Sequence, residues 1–195
     1  MPERAFRRQL LEQARLAPGL RILDIGCGTG TLLIEAFRLE AAALLCGVDG
    51  DESILELASN KIARARADVR FVAGLASRLP FRSESFDRVF STLVLHHLTH
   101  AEKTGTLSET YRVLRPPGEL HIADWGRPHT KAMRIASIML GSLERSDRVA
   151  DNLEGRIGQL CVDAGFSRVH STGRFRTMFG TLELIAAEKS EGPAA

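Results

Sequence analysis

The sequence predicts an α/β fold, a doubly wound and mostly parallel sheet with helices on both faces. Three observations predict it. Short apolar runs alternate with helical stretches from Arg21 to Trp125, a glycine cluster stands where the first run turns into a helix, and two late apolar runs have no helix between them. Alternating strands and helices build a parallel sheet, and consecutive strands with a short link run antiparallel. Seven strands are therefore expected. Five are parallel, and an antiparallel pair ends the chain, with the last strand running against the rest.

Phe6, Leu10 and Ala14 recur at four-residue intervals among Arg7, Arg8, Glu12 and Arg15, so the chain opens with an amphipathic helix that Pro18-Gly19 stops. Arg21 to Ile25 is a short buried strand, and a helix from about Thr31 to Leu39 follows the glycines. Leu44 to Asp49 is the second strand. The next helix, about Ser53 to Arg64, carries Ile54, Ala58 and Ile62 on one face, with Asp51 as its cap. Val69 to Ala73 is the third strand, and Asp87 to Ser91 the fourth, extended by Thr92-Leu93-Val94.

Thr99 and Glu102 form a capping box for a helix in which Leu107, Tyr111 and Leu114 share a face. Pro116-Pro117-Gly118 reads as an abrupt turn before the fifth strand, Glu119 to Ala123. After Trp125 the alternation breaks. Residues 126–150 read as a helical insertion beside the substrate, with Met133, Ile135, Ile138, Met139 and Leu143 apolar. Leu153 to Ala164 is a further helix ended by Gly165. Ser167 to Ser171 and Thr177 to Glu188 are the late strands, and 190–195 is a small, polar tail expected to be disordered. Residues 1–189 read as one domain.

Composition sets the outer limits. The 195 residues are 44% hydrophobic and 26% charged, an ordinary globular balance. Cys27, Cys46 and Cys161 are too few and too scattered for a disulfide framework or a structural zinc site, and no other grouping has metal-ligand spacing. The longest apolar run, Ala41 to Val48, is far short of the ~20 residues a membrane helix needs. The charged start Met1-Pro2-Glu3-Arg4 has no signal-peptide core. A cytoplasmic, reducing setting with no membrane partner is the expectation. A net charge of +2 argues against nucleic acid. The arginines number 22 against 4 lysines and are spread along the chain, which reads as solvated surface, with a phosphate- or acid-binding patch as the alternative.

The informative stretch is Leu23-Asp24-Ile25-Gly26-Cys27-Gly28-Thr29-Gly30. Glycines at a strand-to-helix junction let the backbone turn tightly and let a ligand approach it, and the helix start turns N–H groups toward that ligand. Asp49 ends the second strand, where a carboxylate can accept both ribose hydroxyls. The glycine spacing is G-x-G-x-G, not the G-x-G-x-x-G of dinucleotide sites. Asp24 would repel a pyrophosphate but suits an ammonium group. A nucleoside carrying an amino acid and no phosphate is S-adenosylmethionine.

With these residues the chain resembles the class I S-adenosylmethionine-dependent methyltransferases, whose sheet is Rossmann-like. Within them it looks most like the branch that includes the ubiquinone/menaquinone-biosynthesis enzymes. The landmarks are Leu23 to Gly30, Gly47-Val48-Asp49, Leu79-Pro80-Phe81, Ser85-Phe86-Asp87, Leu95-His96-His97-Leu98 and Arg112 to Gly118, in order over roughly Arg21 to Trp125. Phe179 to Ala187 then matches the family's last antiparallel strand. The resemblance implies that Gly26, Cys27, Gly28 and Gly30 form the loop against the methionine part, and that Asp24 orients the loop or the ammonium. It implies further that Asp49 holds the ribose, that Gly50, Leu75 and Ala76 lie along the adenine, and that Ser91, Thr92 and Leu93 line the methionine side and face the substrate. The product would be S-adenosylhomocysteine.

The chain departs from the family pattern in three places. The family often has an acid at Leu75 and a bulky apolar residue at Gly50, a contact that Phe81 could replace. Its members often carry more helix ahead of the first strand. The thin roof points to a bulky acceptor or to a partner subunit, such as a second copy in a homodimer.

His96 and His97 follow the fourth strand as candidate general bases, against a structural pair bonded to backbone. Asp124, Trp125 and His129 are candidate substrate contacts, and Cys27 is a small side chain that fits the loop. The expected activity is methyl transfer to an oxygen, nitrogen or carbon of a small, partly apolar molecule. A non-catalytic adenosyl-binding or scaffold protein is the alternative, and a nicotinamide-dependent oxidoreductase a weaker one.

Overall fold

In the computed structural model, which describes residues 2–128, 146–177 and 180–191, the chain forms one seven-stranded sheet of order β3-β2-β1-β4-β5-β7-β6. The elements are α1 (Pro2–Gln13), β1 (Arg21–Ile25), α2 (Thr31–Leu39), β2 (Leu44–Asp49), α3 (Glu52–Ala65), β3 (Val69–Ala73), β4 (Phe86–Thr92) and α4 (His100–Val113). They continue with β5 (Leu114–Trp125), α5 (Ser146–Leu153), α6 (Ile157–Asp163), β6 (Ser167–Arg176) and β7 (Thr181–Lys189). A short 3-10 turn, Leu95–His97, follows β4.

Side chains alternate across a strand, and the burial follows that period. Leu23, Ile25, Val89, Leu120 and Ile122 point into one core with Leu107 and Leu160. Ile22, Phe90, Ala123, Leu182 and Leu184 point into the other, under Phe6 and Leu10 of α1 and Leu32 and Leu33 of α2. α1 thus docks on the sheet face. The helix ends obey their local signals. Asp51 accepts from Ser53 N and Ile54 N at the start of α3, and Thr99 and Glu102 close the capping box on α4.

The structure corrects several boundaries. β4 ends at Thr92 rather than running to Val94, because Leu93 turns to φ +57° and donates its N–H to Ala123 O. α1 ends at Gln13, before Pro18-Gly19, and Leu114 opens β5 instead of closing α4. Pro116-Pro117-Gly118 is not a turn ahead of the fifth strand but lies inside it. Phe86 pairs with Leu114 and Arg88 with Glu119, so the prolines occupy a bulge where no ladder donor is needed. The helix expected from Leu153 to Ala164 is two helices, broken at Gly155, whose φ is +69°. The last strand runs as expected. β7 is antiparallel to both β5 and β6, so β6 runs with the parallel strands and β7 alone runs against them. The predicted apolar helix within 126–150 falls largely on residues 129–145, outside the described residues.

Candidate functional site

Parallel pairing brings the carboxyl ends of β1, β2, β4 and β5 to one edge of the sheet. The glycine loop leaves β1 there. Gly26 N and Cys27 N both donate to Val48 O of β2, at 2.8 and 3.1 Å. Gly26 has φ +65°, and a Cβ on it would lie 2.3 Å from Val94 Cγ2, so only glycine fits. Gly28, at φ +51°, has open space where its Cβ would be, and its N–H donates to Asp49 Oδ2 at 2.9 Å. Asp51 N donates to the other oxygen of Asp49 at 3.1 Å. Loop and carboxylate are thereby locked together, with lone pairs of Asp49 still free to accept hydroxyls.

Asp24 sits beneath this loop, 2% exposed, with no hydrogen-bond partner for Oδ1 among the described residues. Burial, and then the charge of Asp49, push its carboxyl up to about 8. A buried carboxylate without a partner is costly, and a cationic ligand group would relieve it. Burial likewise raises the Cys27 thiol, so it is no nucleophile at neutral pH.

Beyond Asp49 the wall is thin. Gly74 N donates to Asp49 O, Leu75 is 65% exposed, and its Cδ2 lies 3.6 Å from where a Cβ on Gly50 would stand. Ala76 is half-buried beside it. Phe81 does not replace the missing apolar contact. Its ring packs edge-on against Phe86, 5.0 Å away, at the opposite end of the parallel strands. On the other side, Ser91 Oγ and Thr92 Oγ1 are buried without partners among the described residues, and Leu93 turns the chain.

The second half of the site is built on β5. Asp124, 2% exposed, accepts from Leu95 N and Trp125 N at 2.7 Å each, and Nδ1 of His96 stands 2.7 Å from its Oδ1. An ionised carboxylate only accepts, so the His96 proton rests on Nδ1 and Nε2 keeps its lone pair. Trp125 meets the His96 ring edge-on at 6.2 Å, and the His97 ring lies 3.9 Å from it. His97 is exposed. His129 lies outside the described residues.

The sequence reading missed a strap across this crevice. Arg148 Nη1 of α5 donates to His97 O at 2.9 Å, and Asn152 Nδ2 donates to Trp125 O at 3.1 Å. α5 is held down by Asp151, 1% exposed, which meets Lys103 of α4 (3.3 Å), His100 (3.1 Å) and Arg156 (2.9 Å). Lys103 is fully buried. Its signal was its place, with Thr106, Leu107, Thr110 and Val113, on the buried face of a helix. Among the described residues no three His, Cys, Asp or Glu side chains could hold a metal ion, and no helix is long and apolar enough to cross a membrane.

Residues 22–118 match the family described as "Methyltransferase domain". The chain is 27% identical over 189 residues to an uncharacterized methyltransferase of Synechocystis, covering 97% of this chain and 85% of that one. It is 37% identical over 126 residues to the demethylmenaquinone methyltransferase of Beutenbergia cavernae, covering 65% of this chain and 49% of that one. The chain thus spans about half the length of the demethylmenaquinone methyltransferases it matches. Among solved structures it is similar to phosphoethanolamine N-methyltransferase 2 of Haemonchus contortus, solved with phosphomonomethylethanolamine and S-adenosylhomocysteine. The TM-score is 0.77 and the identity 20%, over 96% of this chain and 53% of that one.

Proposed function

The chain belongs to the class I S-adenosylmethionine-dependent methyltransferases, and from that premise we propose that it transfers a methyl group to an oxygen, nitrogen or carbon of a small, partly apolar acceptor. The observation that carries the reading is the 2.9 Å hydrogen bond from Gly28 N to Asp49 over a buried, unpartnered Asp24. It joins a hydroxyl acceptor to a site for a cation, and a sulfonium nucleoside carries both groups.

In this reading Asp49 accepts from the ribose hydroxyls. The loop Gly26-Cys27-Gly28 with Gly30 backs the amino-acid part, and Asp24 takes the ammonium. Gly50, Leu75 and Ala76 border the base, and Ser91, Thr92 and Leu93 face the acceptor. When bound, S-adenosylmethionine supplies an activated methyl carbon next to a good leaving group. The chain's own work is alignment at ~3 Å and, for a hydroxyl or an acidic carbon, removal of a proton. His96 receives that proton on Nε2, and Asp124 holds the imidazolium that results. Trp125 walls the acceptor, with His97 at the rim, and His129, outside the described residues, is a further candidate contact.

We read residues 1–189 as one domain with 126–150 an insertion near the substrate, and 190–195 as a tail. A reducing, cytoplasmic setting suits three free, buried cysteines. A homodimer is the proposed assembly, and a monomer mass in sedimentation would count against it.

Asp49→Ala tests the main reading. Calorimetry should find no S-adenosylhomocysteine binding in a variant with native circular dichroism, and unchanged affinity would overturn the assignment.

A further inference from the structure

The arginines that are scattered in the sequence are gathered by three helices around one hollow. Arg4 and Arg7 of α1, Arg38 of α2, and Lys61 and Arg64 of α3 line a groove of about 420 Å3, with Glu35 the one carboxylate in its wall. Glu35 is taken by Arg7, whose Nε donates to both its oxygens at 3.1 and 3.2 Å. Arg4, Arg38 and Arg64 meet no carboxylate among the described residues. The whole chain has only two more cations than anions, 26 against 24, so the excess here is local.

Like charges around a hollow repel one another unless an anion sits among them. The volume is that of a small-ligand site. Guanidinium forks match phosphate oxygens two at a time. Lys61 makes the groove more than a charged surface. Its half-buried ammonium donates to Thr29 Oγ1 at 3.2 Å and to Thr31 Oγ1. An ammonium has three protons, so one is left for a ligand in the groove. Thr29 belongs to the glycine loop, and Thr31 opens α2.

We propose that this groove binds a phosphate-bearing anion, and that Lys61 couples its occupancy to the glycine loop. The coupling rests on the cofactor reading above, whereas anion binding does not. An anion on the third Lys61 proton holds the ammonium in place and stiffens Thr29 and Thr31 with it. Cofactor product and anion should therefore each tighten the other by the same factor.

Sodium pyrophosphate is the probe, titrated calorimetrically into the full chain at low, fixed ionic strength, with phosphatidylglycerol vesicles in a second arm and phosphatidylcholine vesicles as control. Saturable pyrophosphate binding, weakened about tenfold or more in R38S/R64S, is expected. Binding to phosphatidylglycerol vesicles and not to pyrophosphate, lost in the same variant, assigns the phosphate to a lipid headgroup. No binding in either arm, or binding that R38S/R64S leaves unchanged, overturns the site. The coupling is read as S-adenosylhomocysteine affinity with and without pyrophosphate. A several-fold gain that K61M abolishes is expected, and an identical affinity overturns the coupling. A chain that binds pyrophosphate but no S-adenosylhomocysteine would sink the cofactor reading and leave the groove standing.

Discussion

His96 Nδ1 stands 2.7 Å from Oδ1 of Asp124, a carboxylate that also accepts the backbone N–H groups of Leu95 and Trp125. One buried acid therefore shapes the turn after β4 and sets which nitrogen of His96 carries the proton. His96→Asn should lower turnover of a hydroxyl or carbon acceptor by about 10²-fold or more, with S-adenosylhomocysteine affinity unchanged in calorimetry. Asp124→Asn should do the same and also lower the melting temperature, because an amide cannot accept at both positions and leaves a buried donor unpaired, at roughly 1–3 kcal/mol. Full turnover in H96N would remove His96 as the base.

As the proposed partner of the cofactor's ammonium, Asp24 ties cofactor affinity to pH. Its carboxyl is raised to about 8 by burial and by Asp49, so at neutral pH it is largely protonated. A proton must leave before it can meet an ammonium. Affinity for S-adenosylhomocysteine should rise by up to about tenfold per pH unit between about pH 6 and 8, read by calorimetry in buffers of different ionisation enthalpy. A flat profile would argue against Asp24 as the ammonium partner.

The same residue costs stability. Folded Asp24 holds its proton up to about pH 8, while the unfolded chain releases it near pH 4. Within that window the native state binds more protons, so stability falls as pH rises. Asp24→Asn removes the ionisation. At alkaline pH the variant should melt at least about 2–4 °C higher, the shift that 1 kcal/mol produces in a chain this long, while losing cofactor affinity. A lower melting temperature at alkaline pH would contradict this account.

Lys103 and Asp151 are a buried ion pair, 0% and 1% exposed and 3.3 Å apart. Lys103→Met leaves Asp151 with only His100 and Arg156 and should cost about 2–3 kcal/mol, less than the loss of a buried charge's sole partner. Scanning calorimetry should show the melting temperature down by roughly 4–12 °C. K103M/D151L should recover part of the loss, because two apolar side chains need no partner. A K103M melting point equal to the native one would deny the pair its role in holding α5.

Leu75 is 65% exposed beside Gly50, so its replacement disturbs little packing. With the base bordered by Leu75 as proposed, Leu75→Asp supplies an acceptor for the adenine amino group. One hydrogen bond of about 1 kcal/mol should tighten S-adenosylhomocysteine roughly fivefold, with the melting temperature nearly unchanged. Weaker binding in the variant would place the base elsewhere.

Local sequence determined the first half of the sheet and the glycine loop with its two acids, where the cofactor is proposed to sit. Arg21–Ile25, Thr31–Leu39, Leu44–Asp49 and Val69–Ala73 stand at the expected bounds, because apolar period, glycine and cap act within a few residues of the positions they govern. Asp24, the glycines and Asp49 were readable for the same reason, since loop spacing and strand ends bring them together. Tertiary packing alone decided the rest. His96 and Asp124 are 28 residues apart and Lys103 and Asp151 are 48 apart, and nothing local to any of them selects the partner. Pro116-Pro117 looked like a turn until β4 ran past it and skipped the missing donors. Five cations from three helices became one groove only once the helices were laid side by side on the sheet. Hydrogen bonds and charges act over a few ångströms of space, and only the folded chain determines which distant residues share those ångströms.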